Sequence, residues 1–148
     1  MQQPVWKKFD QLSLNELYAI LKLRIDVFVV EQNCPWADLD NLDQVSWHLC
    51  LWQGPELAAY ARLLPPHHMG SEVKIQRVIT DQKFRGQGLG QQLMTAALEK
   101  STELFPGIPI KIGAQERLEK FYSNLGFMPC GKPYDDLGIM HIDMIKVA

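Results

Sequence analysis

Asp81-Gln82-Lys83-Phe84-Arg85-Gly86-Gln87-Gly88-Leu89-Gly90-Gln91 is the stretch on which the reading of the fold turns. Before it, Glu72 to Thr80 alternates and is rich in branched residues (Val73, Ile75, Val78, Ile79), and it reads as a regular strand. After it, Leu93, Met94, Ala97, Leu98 and Ser101 to Leu104 form an apolar stripe at 3.6-residue spacing, a helix that Pro106-Gly107 stops. Three alternate glycines let the backbone take positive φ and aim its N–H groups at one point, and a helix start adds the positive end of its dipole. Such a turn cradles a phosphate, and Arg85 at its rim can make charge-assisted bonds to phosphate oxygens. The plainer alternative is a tight strand-to-helix turn without a ligand, for which one or two glycines would suffice. A dinucleotide fingerprint would place its third glycine at Gln91, and a Walker A loop would follow Gly90 with Lys and Ser or Thr instead of Gln91-Gln92, so neither nucleotide class fits.

Working outward, Pro109 to Gly113 reads as the next strand. Gln115 to Asn124 follows as a helix that buries Leu118 and Phe121 and closes at Gly126. Phe127 to Gly131 and Ile139 to Val147 alternate and predict two antiparallel strands joined by an acidic turn at Asp135-Asp136. Towards the start, Ser13 and Glu16 form a capping box for a helix running to about Val29, with Leu14, Leu17, Tyr18, Leu21, Ile25 and Phe28 as its apolar stripe. Val5 to Phe9 reads as a short opening strand, Trp47 to Gln53 and Leu57 to Leu64 as a hairpin, and Glu31 to Val45 as a long acidic loop. The order is mixed α/β, and nothing divides the chain, so residues 1–148 are read as one domain.

Composition narrows the function. The chain has 148 residues, 47% hydrophobic and 22% charged, with a net charge of −2, which gives no bulk charge for nucleic-acid binding. No apolar run approaches the roughly 18 residues that span a bilayer, and the first residues lack the apolar core of a secretory signal, so a cytoplasmic protein is expected, with no membrane partner. Three widely spaced cysteines, Cys34, Cys50 and Cys130, suggest reduced thiols and no zinc site. Asp38, Asp40 and Asp43 fail as a calcium loop, because the sixth position is not glycine and the twelfth is Leu49. No metal is expected.

Arg85-Gly86-Gln87-Gly88-Leu89-Gly90 resembles the (Q/R)xxGx(G/A) signature of the GNAT superfamily of N-acetyltransferases, and Gln115 to Phe127 resembles its later segment, in which an aromatic-Tyr pair precedes Gly-Phe. The stretches Glu16 to Asp40 and Gly138 to Met144 are similar to the small bacterial ElaA-like branch, so the resemblance covers nearly the whole chain. It implies a mostly antiparallel, twisted sheet flanked by helices and splayed between two central strands near Ile79 and Ile112. It also implies acetyl-CoA as co-substrate. The pyrophosphate would lie on main-chain N–H groups of Gly86, Gln87, Gly88, Leu89, Gly90 and Gln91, with Arg85 at the rim. The pantetheine would run along Val78, Ile79 and Thr80, whose amides can also face the thioester carbonyl, and near Gln115, where the family commonly has Asn.

The implied reaction is direct acetyl transfer to a primary amine on a small molecule, a polyamine or a protein. An amine with a reference pKa of about 10.4 must lose a proton, and the leaving thiolate benefits from gaining one. Tyr122 matches the family's general acid, the alternative being a packed core tyrosine beside Phe121. The strand glutamate that many members use as base is absent from Lys74-Ile75-Gln76-Arg77-Val78. Glu31, Asp38, Asp40, His48, His141 or a water chain could serve, and Glu31 and His141 are the two named here because they lie in the ElaA-like segments. Trp36 and the loop acids are expected to attract and stack on a cationic acceptor. The rival class is a CoA-binding regulatory or scaffolding module of the same fold without catalysis. Ping-pong transfer through a cysteine would need a thiolate-stabilising partner that the sequence does not show. Either a monomer or a homodimer suits the fold.

Overall fold

The computed structural model describes residues 3–148. Eight strands form one sheet: β1 (Val5–Lys8), β2 (Trp47–Gln53), β3 (Glu56–Leu64), β4 (Val73–Thr80), β5 (Ile110–Gln115), β6 (Met128–Pro129), β7 (Tyr134–Asp136) and β8 (Ile139–Lys146). Their order is β1-β2-β3-β4-β5-β8-β6, with β7 also paired to β8. Helices are α1 (Leu14–Arg24), α2 (Leu89–Leu104) and α3 (Glu119–Ser123). Every pairing is antiparallel except β4 with β5, which meet only at Val73↔Ile110 and Lys74↔Lys111. Beyond Lys74 and Lys111 the two strands part, and the sheet opens into the expected splay.

The capping box forms: the Glu16 N–H donates to Ser13 Oγ at 3.0 Å and the Ser13 N–H to Glu16 Oε1 at 2.8 Å. The apolar stripe expected for α1 is corrected. Leu14 and Tyr18 are exposed, and the buried face is Ile20, Leu23, Arg24 and Val27, because the helix packs a charged residue inward that a pattern of apolar positions passes over. After Arg24 the helix loosens into a π-helical turn from Ile25 to Glu31. Ile20, Leu23 and Val27 cover Cys50, Tyr60 and Ile79 on one sheet face, while Met94 and Ala97 of α2 cover Leu63, Val73, Ile75 and Ile110 on the other. Strand β3, covered on both faces, is buried from Leu57 to Leu64.

Three boundaries move. Strand β5 extends to Gln115, so the helix expected from there is a 3₁₀ turn (Glu116–Leu118) followed by the short α3. The strand expected over Phe127 to Gly131 shrinks to Met128–Pro129, since Pro129 and Pro133 offer no N–H, although the Cys130 N–H still donates to Asp143 O at 2.9 Å. The last turn lies at Leu137-Gly138 instead of Asp135-Asp136. Both residues are left-handed (φ 54° and 89°), the geometry of a two-residue hairpin, with Asp136↔Ile139 as the rung that closes it.

Candidate active site

Where β4 and β5 part, a cleft of about 700 Å³ opens, lined by the inner edges of both strands, the π-helical turn, α3 and the β7–β8 hairpin. The glycine turn stands at its mouth. Asp81 caps a 3₁₀ turn by accepting the Lys83 N–H at 2.9 Å, and Gly86 and Gly88 then take φ of 81° and 75°, as glycine allows. Gly90 departs from the expectation of three left-handed glycines: it lies inside α2, where an added Cβ would sit 3.8 Å from Phe121 Cζ. The first helical bond is donated by the Gln92 N–H to Gly88 O, so the N–H groups of Leu89, Gly90 and Gln91 precede it without helical acceptors. A Cβ built at Gly86 or Gly88 meets nothing within 4 Å, so the space above the turn is open. The Leu89 side chain is buried with Leu49 and Leu93, leaving only its backbone to the turn.

Of the residues singled out from sequence, Val78, Ile79, Thr80, Arg85, Gly90, Gln115, Tyr122, Glu31 and His141 all line this cleft, while Gly86, Gln87, Gly88 and Gln91 are exposed beside its mouth. The Tyr122 ring is buried, edge-on to Phe121 and Phe127, and its hydroxyl makes no hydrogen bond among the described residues. Burial pushes the phenol up to about 12, so it stays protonated. His141 Nδ1 lies 2.9 Å from Ile139 O; a carbonyl can only accept, so Nδ1 carries a proton and Nε2 is the nitrogen left facing other partners. Tyr134 stacks on the imidazole, with ring centroids 6.0 Å apart.

Glu31 and Arg85 are joined by two bonds of 2.6 and 2.8 Å at the mouth, and the guanidinium holds the Glu31 carboxyl below its ordinary range. Gln115 Oε1 accepts from Arg117 Nε at 3.1 Å and stands opposite His141 in the β5–β8 ladder.

The acidic loop is corrected. Asp38, Asp40 and Asp43 do not face an arriving cation but are interlocked with Arg24, Arg62 and Arg77. Arg24 donates to Asp38 at 2.9 Å and Asp43 at 2.6 Å, Arg62 to Asp40 at 2.8 Å and Asp43 at 3.0 Å, and Arg77 to Asp38 at 3.0 Å. Three acids against three guanidinium groups leave no net charge. Trp36 is likewise occupied, its ring lying 4.6 Å from the Arg77 guanidinium carbon. His48, an early candidate base, is buried between Tyr60 Oη at 2.6 Å and Asp43 O at 2.8 Å, outside the cleft, and burial lowers its pKa.

Sequence reasoning missed Arg77, Gly113, Tyr134 and Asp143. Asp143 pairs with Gly113 across the ladder, and its Oδ1 accepts from the Tyr134 hydroxyl at 2.7 Å, in a space that a side chain at 113 would crowd. For Arg77 a signal was present. The spacing Val73, Ile75, Val78 changes from two to three, which is what an extra residue in a strand produces.

Residues 29–148 match the acetyltransferase (GNAT) domain family. The chain belongs to the GNAT acetyltransferase family. Over 139 residues it is 44% identical to protein ElaA of Escherichia coli K12, covering 93% of this chain and 91% of that one. Its fold superposes on the crystal structure of an acyl-CoA N-acyltransferase from Pseudomonas aeruginosa with a TM-score of 0.94, at 39% identity over 98% of this chain and 99% of that one. For the crystal structure of Escherichia coli ElaA the TM-score is 0.93, at 41% identity over 99% of each chain. This GNAT chain is thus an acyltransferase, its open, mostly antiparallel sheet the one that the family resemblance implies. Among the described residues no cluster of His, Cys, Asp and Glu is set to hold a metal ion, and no helix is long and apolar enough to cross a membrane.

Proposed function

We propose that this GNAT chain transfers acetyl directly from acetyl-CoA to a primary amine, and the unpartnered Tyr122 hydroxyl in the cleft carries the reading. The residues fit the donor: an open glycine turn with unspent N–H groups for a pyrophosphate, then a cleft bounded by β4 for the pantetheine arm. Acetyl-CoA supplies the activated acyl group. Gly86 to Gln91 bind its phosphates through the backbone, with Arg85 at the rim, where a phosphate would compete with Glu31 for the guanidinium. Gln115 offers its amide along the arm. Backbone amides of Val78 to Thr80 hold the arm and meet the negative charge that grows on the carbonyl oxygen. Tyr122, protonated at neutral pH, gives its proton to the leaving sulfur.

For the base we favour His141 over Glu31. With Nδ1 committed to the Ile139 carbonyl, His141 Nε2 has no other hydrogen bond among the described residues and is the atom placed to exchange a proton, whereas the Glu31 carboxylate is held by Arg85. Direct transfer is favoured over a cysteine intermediate because burial pushes the Cys50 thiol up to about 12, Cys130 is exposed away from the cleft, and Cys34, which does line the cleft, spends its S–H on the Leu137 carbonyl at 3.7 Å. The acceptor is a small molecule, a polyamine or a protein amine, and we place the reaction in the cytoplasm with a monomer or homodimer as the working unit. The test is release of free CoA thiol with a panel of primary amines. Release that needs both acetyl-CoA and an amine is expected. Tight CoA binding without turnover on any amine would favour the non-catalytic module.

A further inference from the structure

Strand β4 changes phase in its middle. Arg62 pairs with Gln76 and Tyr60 with Ile79, so Arg77 and Val78 together face the single residue Ala61, and the strand bulges where it borders the cleft. The consequence shows in the packing: Ile75 faces the α2 side, Ile79 the α1 side. Arg77 takes φ of 57°, a left-handed conformation in mid-strand without glycine's freedom. Something outside the strand must hold it there.

The loop that follows the π-helical turn does so. Arg77 Nε donates to Asp38 Oδ1 at 3.0 Å, its Nη2 to the Asp38 carbonyl at 3.0 Å and to Asp40 Oδ2 at 3.3 Å, while Trp36 lies against the guanidinium. Asp38 is fully buried, and its other oxygen is fixed by Arg24 Nε at 2.9 Å, with Arg24 Nη2 on the Asp38 carbonyl at 3.1 Å. Arg62 anchors the far side through Asp40, Asp43 and the Gln76 side chain, so the residue before the bulge is held by the same network. Only Arg62 Nε is buried without an acceptor among the described residues.

We propose that Asp38 and Arg77 are positioning residues: the loop clamps the β4 bulge so that the backbone amides after it point into the cleft at the reacting carbonyl. The proposal rests on the reading above that those amides serve the acyl group. Asp38 lies outside the cleft lining, and Arg77, though it borders the cleft, spends its guanidinium on Asp38 and Asp40. The acids that looked like a lure for a cationic substrate are instead the frame of the transfer site.

The test compares the wild type with Arg77→Gly, which accepts φ of 57° without strain while removing the clamp, with Arg77→Lys, which keeps a charge for Asp38, and with Asp38→Asn. The clamp predicts a kcat lower by about tenfold or more in Arg77→Gly, KM for the amine changed by no more than about twofold, and partial recovery in Arg77→Lys. Amide hydrogen exchange across residues 75–80, measured without substrate, should rise by about tenfold or more in Arg77→Gly and Asp38→Asn while α2 amides keep their protection. A folded Arg77→Gly with wild-type exchange across 75–80 overturns the clamp. So does wild-type exchange in Asp38→Asn, or a loss shared equally by all amides. If the wild type turns over no amine at all, the proposed function fails, and the exchange experiment still decides the clamp.

Discussion

Replacing Tyr122 by Phe removes one oxygen from a ring that stays buried against Phe121 and Phe127. No hydrogen bond is lost within the described protein, so stability should change by no more than about 0.5 kcal/mol. The loss falls on the transfer step. A positioned proton donor is worth about 10² or more in rate, which is about 2.7 kcal/mol of barrier at about 1.36 kcal/mol per decade. Because burial lifts the phenol to about 12, the wild type should show no alkaline fall in kcat from this group until pH approaches that value. The assay is thiol release at saturating amine, with acetyl-CoA affinity from calorimetry and thermal unfolding on the same preparations. A Phe variant that turns over at the wild-type rate would remove Tyr122 as the acid. A variant that loses acetyl-CoA affinity in step with rate would show that the hydroxyl binds instead of donating.

Gly88→Trp should abolish acetyl-CoA binding, since it fills the open space above the turn and forces a left-handed φ of 75° on a bulky residue; wild-type affinity in calorimetry would remove the pyrophosphate assignment. His141→Ala should lower kcat by about 10² or more, whereas Glu31→Gln, which breaks a half-exposed ion pair, should cost less than about 1 kcal/mol of stability and leave kcat within a few-fold; the reverse ranking would make Glu31 the base. Acid should weaken the loop network in a defined window. Although burial opposes it, the Arg62 guanidinium holds Asp40 at about 2, below its ordinary 3.8, so its contribution is complete above pH 3.8 and is lost as pH falls through 2. The shift corresponds to about 2 kcal/mol at most, and to about 1 after solvent screening of a carboxylate that is 26% exposed; urea unfolding at pH 5 and pH 2.5 should therefore lose less stability in Asp40→Asn than in the wild type.

What could be read from sequence was local in the chain. The glycine turn and the capping box at Ser13 each carry their meaning within a dozen residues, because turn geometry and helix spacing are set by near neighbours, whereas Tyr122 stood out only through the family resemblance. The loop network was hidden for the opposite reason. Arg24, Asp38, Asp43, Arg62 and Arg77 come from a helix, a loop and two strands, and a charged residue in a periodic pattern is ordinarily assigned to solvent, so the burial of Arg24 and Arg62 at 0% exposure left no trace in the pattern. Leu137-Gly138 lacks the Asn-Gly or Asp-Gly signature of its hairpin, which drew the turn to the acidic pair beside it. The bulge at Arg77 stood between these cases: its spacing was visible, but the conformation depends on partners that the chain supplies from Trp36 to Asp40.

The proposed activity requires the glycine turn and cleft to hold acetyl-CoA, and titration calorimetry of the purified chain with acetyl-CoA, with NAD and ATP as controls, tests this most directly. Binding of acetyl-CoA alone in the micromolar range, on the order of −8 kcal/mol, is the predicted result. No heat with acetyl-CoA, together with binding of NAD or ATP, would contradict it.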